Sequence, residues 1–183
     1  MLKRRTALAT AITLALGLGV VSGTALPASG NPSGSAPGMV LRSIHVSSVA
    51  EAQRRLAAEA GAEGETLVLF AVTSDATYVD LPPTGSSPGD FVLSEQSLFA
   101  DAALTRPAGS AAVRFEFSLS TVSTTVTART GGGKIVVAGS QFSEQDATLA
   151  VTGGTGRYLG AGGLAIPFDL PSGVLLLLLR VIR

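Results

Sequence analysis

The chain has 183 residues, 46% hydrophobic and 14% charged, a balance that excludes global disorder. Thirteen basic and thirteen acidic residues cancel, so no basic face for nucleic acid is expected. With no Cys and a single His, His45, disulfides, thiolate nucleophiles and cysteine metal sites are excluded, and Ser-His-Asp chemistry has little to work with.

Residues 1–25 have the layout of a secretory signal peptide. Lys3, Arg4 and Arg5 form a basic start, an apolar run extends from Ala7 to Val21, and Gly23 and Ala25 suit the −3 and −1 sites of a peptidase. The run is about 15 residues, short of the roughly 20 a spanning helix needs. Cleavage after Ala25 removes three basic residues and no acid, leaving a mature charge of −3. The protein is therefore expected outside the cell, with no membrane segment after cleavage.

Residues 26–38, LPASGNPSGSAPG, read as a flexible linker. A lead-in over 39–64 follows. Met39 to Val46 suits a short strand, and Ser48 with Glu51 forms a capping box for a helix over Val49 to Ala60. Gly61 and Gly64 stop it. Its apolar face (Val49, Ala52, Leu56, Ala60) is alanine-rich and reads as weak cover.

From residue 65 to 183 the texture is that of strands and turns. Strands are expected at 66–74, 77–81, 90–99, 110–119, 122–129, 134–142, 147–152, 157–167 and 173–182, the second continuing the first after a bulge. Val113, Phe115, Phe117 and Leu119 alternate with polar residues, as in a half-buried strand. Gly131, Gly132 and Gly133 mark a hairpin. No crossover helix intervenes, so the fold class is all-β, an antiparallel barrel or sandwich. Leu175 to Leu179 are apolar on both faces; only one face can line a barrel, so the other is expected at a subunit interface.

Gly153-Gly154-Thr155-Gly156 is not a nucleotide loop. Its spacing to Gly160 is one residue too long for the dinucleotide fingerprint, and the following segment reads as strand rather than helix. Turn glycines are the reading. The acids Asp75, Asp80, Asp90, Glu95, Asp101, Glu116, Glu144 and Asp146 are scattered and read as solvated turn or outward strand positions. No metal site and no cofactor is expected.

Taken with its surroundings, the segment from Asp146 to Gly162 (DATLAVTGGTGRYLGAG) resembles the signature of the allene oxide cyclase and dirigent superfamily. The stretch Gly89-Asp90-Phe91-Val92-Leu93-Ser94-Glu95-Gln96-Ser97-Leu98-Phe99 is a second match, and Gly139 to Phe142 leads into the glycine block as in that family. The resemblance covers about residues 65 to 183. It implies an eight-stranded antiparallel β-barrel with a central apolar cavity, often a trimer. Members include cyclases that fold a reactive epoxide into a cyclopentenone and dirigents that steer coupling of phenolic intermediates.

The departures from that pattern concern the chemistry. The position of the cyclase acid falls on Ala71, its neighbouring amide on Thr73, a tyrosine near Gln141, a cysteine near Val113 and an arginine on Gly162, while Arg157 is kept. Without the acid, the family's way of stabilising a cation or moving a proton is missing, and no catalytic residue is assigned. The expected function is binding of an apolar small molecule in a barrel lined by Leu69, Ala71, Thr73, Phe115, Phe117 and Gln141. A cyclase- or dirigent-like isomerase acting by cavity shape, and a structural protein with a filled barrel, are the alternatives. A homotrimer is the expected assembly.

Overall fold

The computed structural model of the chain describes residues 44–85, 87–142 and 148–183. The expected signal peptide (1–25), the linker (26–38) and residues 39–43 lie outside them, as do Glu144 and Asp146. The elements in order are β1 (Ile44–His45), α1 (Val49–Ala60), β2 (Glu65–Val79), β3 (Phe91–Phe99), β4 (Pro107–Phe117), β5 (Thr121–Thr130), β6 (Gly133–Phe142), β7 (Leu149–Gly154), a 3-10 turn (Gly156–Tyr158), β8 (Gly162–Asp169) and β9 (Leu175–Ile182).

Strands β2 to β9 pair antiparallel, each with the next, and β9 returns to β2, closing an eight-stranded barrel. Closure removes every free edge of the ring. Strand β2 carries the expected bulge between Thr73 and Asp75, which joins two predicted strands into one. The short strand β1 runs parallel to the end of β8, with Ile44 opposite Phe168 and His45 opposite Asp169. It occupies the flank of β8 that β7 leaves uncovered, since β7 pairs only as far as Ala165.

Helix α1 starts where the capping residues placed it. Ser48 Oγ accepts from Glu51 N at 3.3 Å, while the Glu51 carboxylate reaches back one residue further than expected, to Ser47 N and Oγ at 2.9 and 2.8 Å. Gly61, at φ 71°, ends the helix in a backbone conformation that favours glycine.

The core has two compartments. Leu175, Leu177, Leu179 and Val181 point into the barrel with Leu69, Val113, Val126, Val137 and Val151. Leu176 and Leu178, on the other face of β9, pack with Phe70, Ile166 and Phe168 beneath Ala52 and Leu56 of α1 and beside Ile44 and Val46. Both leucines are fully buried within the chain. The judgement that an alanine-rich helix gives weak cover is corrected here. Alanine lets the helix approach the sheet closely, one leucine fills the remaining space, and the β1 segment covers the flank.

The predicted strand at 157–167 is also corrected. Residues 156–158 form a 3-10 turn, with Tyr158 N donating to Thr155 O and Leu159 N to Gly156 O, both at 3.2 Å. Strand β8 begins only at Gly162. The glycine block packs against the β5–β6 hairpin, Thr155 N donating to Lys134 O and Arg157 N to Gly132 O, each at 2.9 Å. A Cβ on Gly154 would stand 2.1 Å from Lys134 O, so close approach of two backbones requires glycine there.

Candidate functional site in the barrel lumen

Strand alternation decides which side chains enter the barrel. Leu69, Ala71, Phe115 and Gln141 are buried on its inner face, Phe117 packs against that core, and Thr73, partly buried, lies opposite the buried Gln96. The two phenylalanines come from the alternation of β4, and Gln141 enters because β6 buries Ile135, Val137 and Gln141 with the same period.

The register determines their heights. Following paired residues around the ring from Ala76 leads through Ser94, Val113, Val126, Val137, Val151, Gly163 and Val181, and returns to β2 at Glu65. The strands are therefore tilted, and a level line climbs roughly one residue per strand relative to the paired rows. Corrected for this stagger, Thr73 on β2, Ser94 on β3, Thr124 on β5, Gln141 on β6 and Asp169 on β8 fall at one level, with Phe115 of β4 beside them. Ser94 and Gln141, three strands apart in a ring of eight, stand on nearly opposite walls. Leu69 and Ala71 lie below this level and Phe117 above it.

Beneath the belt the lining is apolar apart from Gln96: Leu98, Ala111, Val113, Ala128, Val137, Val151, Ala165, Leu177 and Leu179. At the lower end Tyr158 is buried, its hydroxyl 3.3 Å from Thr130 Oγ1, and it packs with Ala161 against the core. Arg157 and Arg183 both bond the Glu65 carboxylate outside this floor.

Two belt atoms matter most. Ser94 Oγ and Gln141 Oε1 are buried and make no hydrogen bond to any described residue. Each such group costs about 1–3 kcal/mol in a folded protein. Asp169 is nearly buried, and His45 Nδ1 approaches its carboxylate at 3.7 Å from the exposed side of β1. No group of three or more metal-ligating side chains occurs among the described residues.

Asp90 lies above the belt and is fully buried, correcting the reading of this acid as solvated. Its carboxylate accepts from Tyr78 Oη (2.6 Å), Leu81 N (2.8 Å), Ser87 N (2.7 Å) and Ser87 Oγ (3.2 Å). Burial pushes its pKa up, but these donors outweigh burial and hold it below the ordinary aspartate range. It clamps the β2–β3 loop.

Sequence reasoning did not single out Ser94, Thr124 or Asp169. In β3 apolar residues occur at both parities, Leu93 against Val92 and Leu98, so the inward set was ambiguous. Asp169 joins the belt only through barrel closure.

A depression of about 220 Å³ lies over β3, β4 and β5, lined by the outward residues Leu93, Glu95, Ala112, Arg114, Thr125 and Thr127 together with Ser94 and Val113. Arg114 there stacks over Phe91 at 4.3 Å and bonds Glu116 at 3.0 Å.

No family model and no curated protein matches the chain. Solved structures do. A pyocyanin demethylase matches with a TM-score of 0.55 at 19% identity, over 64% of this chain and 99% of its own. The Diels-Alderase AbmU from Streptomyces koyangensis matches with a TM-score of 0.51 at 20% identity, over 71% and 75%. A nonspecific heme-binding cyclase of neoabyssomicin biosynthesis gives 0.51 at 20%, over 73% of each chain. The barrel fold is shared with these proteins. At such identities the likeness is one of fold.

Proposed function

We propose that this protein is a secreted barrel of the allene oxide cyclase and dirigent type that binds an apolar small molecule in its lumen. The observation that carries the reading is the closed barrel with an interior that is mainly apolar but holds Ser94 Oγ and Gln141 Oε1, two buried polar atoms without a hydrogen bond to any described residue. A ligand that supplies the missing hydrogen bonds and fills the apolar part recovers both costs.

Thermal shift and calorimetry with naphthalene as the apolar probe test this. The native protein is expected to bind it, and Ala111→Phe, checked for folding by circular dichroism, to lose it. Absence of binding to the native protein would favour a barrel filled by its own side chains and overturn the reading.

A cyclase- or dirigent-like isomerase is the second reading. Its support is the shared fold with a Diels-Alderase and with a heme-binding cyclase that catalyses a [4 + 2] cycloaddition, an analogy of scaffold. Ala71 stands where the plant cyclase acid would be, so such catalysis would rest on the shape of the lumen.

Secretion rests on the signal-like residues 1–25; an N-terminus at or just after Leu26, read by mass spectrometry of culture medium, is the expected result. The trimer was inferred from the outer leucines of β9. With Leu176 and Leu178 buried by α1, a trimer would have to use another surface.

A further inference from the structure

We propose that the lower end of the barrel, where β5 turns into β6 and β7 into β8, docks on the surface of an anionic lipid bilayer without spanning it. Basic and acidic side chains cancel over the whole chain, yet the fold sorts them by end. Arg129 and Lys134 project from the foot of the β5–β6 hairpin, Arg157 from the turn after β7, and Arg180 and Arg183 from the foot of β9. The acidic side chains beside these five are Glu63 and Glu65, while Arg106 at the foot of β4 is paired with Asp101 at 3.3 Å. Asp80, Asp90 and Asp169 stand at the opposite end.

The five cations are linked into one patch. Arg157 lies across the hairpin tip, where a Cβ on Gly132 would stand 2.1 Å from its Cδ. Its guanidinium reaches the Glu65 carboxylate, which Arg183 bonds as well. Arg180 is held beside them, Nη1 donating to Gly64 O at 3.4 Å. Arg129 and Lys134 are direct cross-strand partners on the outer face, both exposed, and neither forms an ion pair with a described residue. Like charges set opposite each other destabilise a sheet. A negative partner outside the chain relieves that repulsion.

The apolar side chains of the patch favour lipid over a soluble polyanion. Leu159 is 78% exposed on the turn that carries Arg157, and Ile182 is 41% exposed between Arg180 and Arg183. A polyphosphate chain would leave both in water. A bilayer takes them into its interface while its headgroups meet the cations. Tyr158, whose ring lies under Arg157 at 5.2 Å, is buried and offers no face for a base to stack on.

Co-sedimentation of the mature protein with lipid vesicles tests this, all variants sharing one N-terminus. At about 0.1 M salt, vesicles of phosphatidylcholine with about 30% phosphatidylglycerol should bind at least about tenfold more tightly than phosphatidylcholine alone, and about 0.5 M salt should abolish the difference. Arg129→Thr combined with Lys134→Thr should weaken binding about 25-fold, from about fivefold per cation. Its melting temperature should hold or rise, because the like-charge pair is gone. Leu159→Ser should weaken binding on the order of tenfold. Arg54→Ala, which removes an exposed cation midway along α1, should leave it nearly unchanged.

Equal binding to the two kinds of vesicle, or to neither, would overturn the proposal. So would a loss on Arg54→Ala as large as that per patch cation, which would mean that net charge alone is read. Heparin bound as tightly as the vesicles, and untouched by Leu159→Ser, would assign the patch to a soluble polyanion instead. If the paired variant does not fold, vesicle preference and the Leu159→Ser response still decide. The lumen reading is independent of every one of these results.

Discussion

Tyr78 donates its phenolic hydrogen to the buried carboxylate of Asp90 at 2.6 Å, tying the end of β2 to the start of β3 across the loop between them. Because Asp90 also accepts from Leu81 and Ser87, one carboxylate holds both arms of that loop. Tyr78→Phe is expected to lower stability by about 1.5–3 kcal/mol, the range for hydrogen bonds to charged groups. Denaturant unfolding at neutral pH measures it.

The same contact predicts a pH dependence. The folded pKa of Asp90 lies below its unfolded value, so the unfolded chain binds the proton more readily. The stabilisation is present above the ordinary aspartate pKa of about 3.9 and is lost as pH falls through the lower folded value. The gap between native protein and Tyr78→Phe should therefore narrow in acid. A gap that stays constant from pH 7 to pH 2 would show that Asp90 does not titrate as described.

Glycine substitutions should separate by geometry. A Cβ at Gly133 would stand 2.1 Å from Thr155 O, at a φ of 126°, and one at Gly154 equally close to Lys134 O. Alanine at either position is expected to cost at least about 1–3 kcal/mol, since backbone must move. A Cβ at Gly131 meets nothing within 4 Å, and Gly131→Ala should be near neutral. Equal melting temperatures for all three variants would contradict the packing of the glycine block on the hairpin.

The outer compartment gives a third contrast. Leu56→Ala should cost about 2–5 kcal/mol, as for other fully buried leucines, although it sits on a single short helix. Leu178→Lys should be worse, because it buries a charge where Phe70 and Phe168 leave no partner for it. Were this face a subunit interface, the lysine would instead give a stable monomer. Light scattering with a thermal melt distinguishes the two.

The barrel was legible from residue types. Val113, Phe115 and Phe117 showed their alternation openly, and the triple glycine at 131–133 marked its hairpin. The helix was legible from Ser48 and Glu51. The lumen was read less completely, for a physical reason. A residue's wall follows from local parity, but its height depends on the stagger summed around all eight strands. Thr73 and Gln141 could therefore be placed inside, yet not level with Ser94 and Asp169. The cover for β9 was misjudged because helix contacts depend on how near alanines allow two elements to approach. That distance is absent from a hydrophobicity pattern.

The cluster beneath α1 draws Ile44, Val46, Ala52, Leu56 and Phe70 from one end of the described chain and Ile166, Phe168, Leu176 and Leu178 from the other. The β2–β9 seam likewise joins the first and last strands of the ring. The consequence concerns the order of events during synthesis. The hairpins from β3 to β6 can pair as they emerge, but both seam and cluster need β9, the last strand made. Closing so long a loop is entropically slow and leaves apolar strand faces bare meanwhile. Pulsed hydrogen exchange during refolding should protect β4 to β6 first and β2 with β9 last, and a chain cut before Leu175 should remain open.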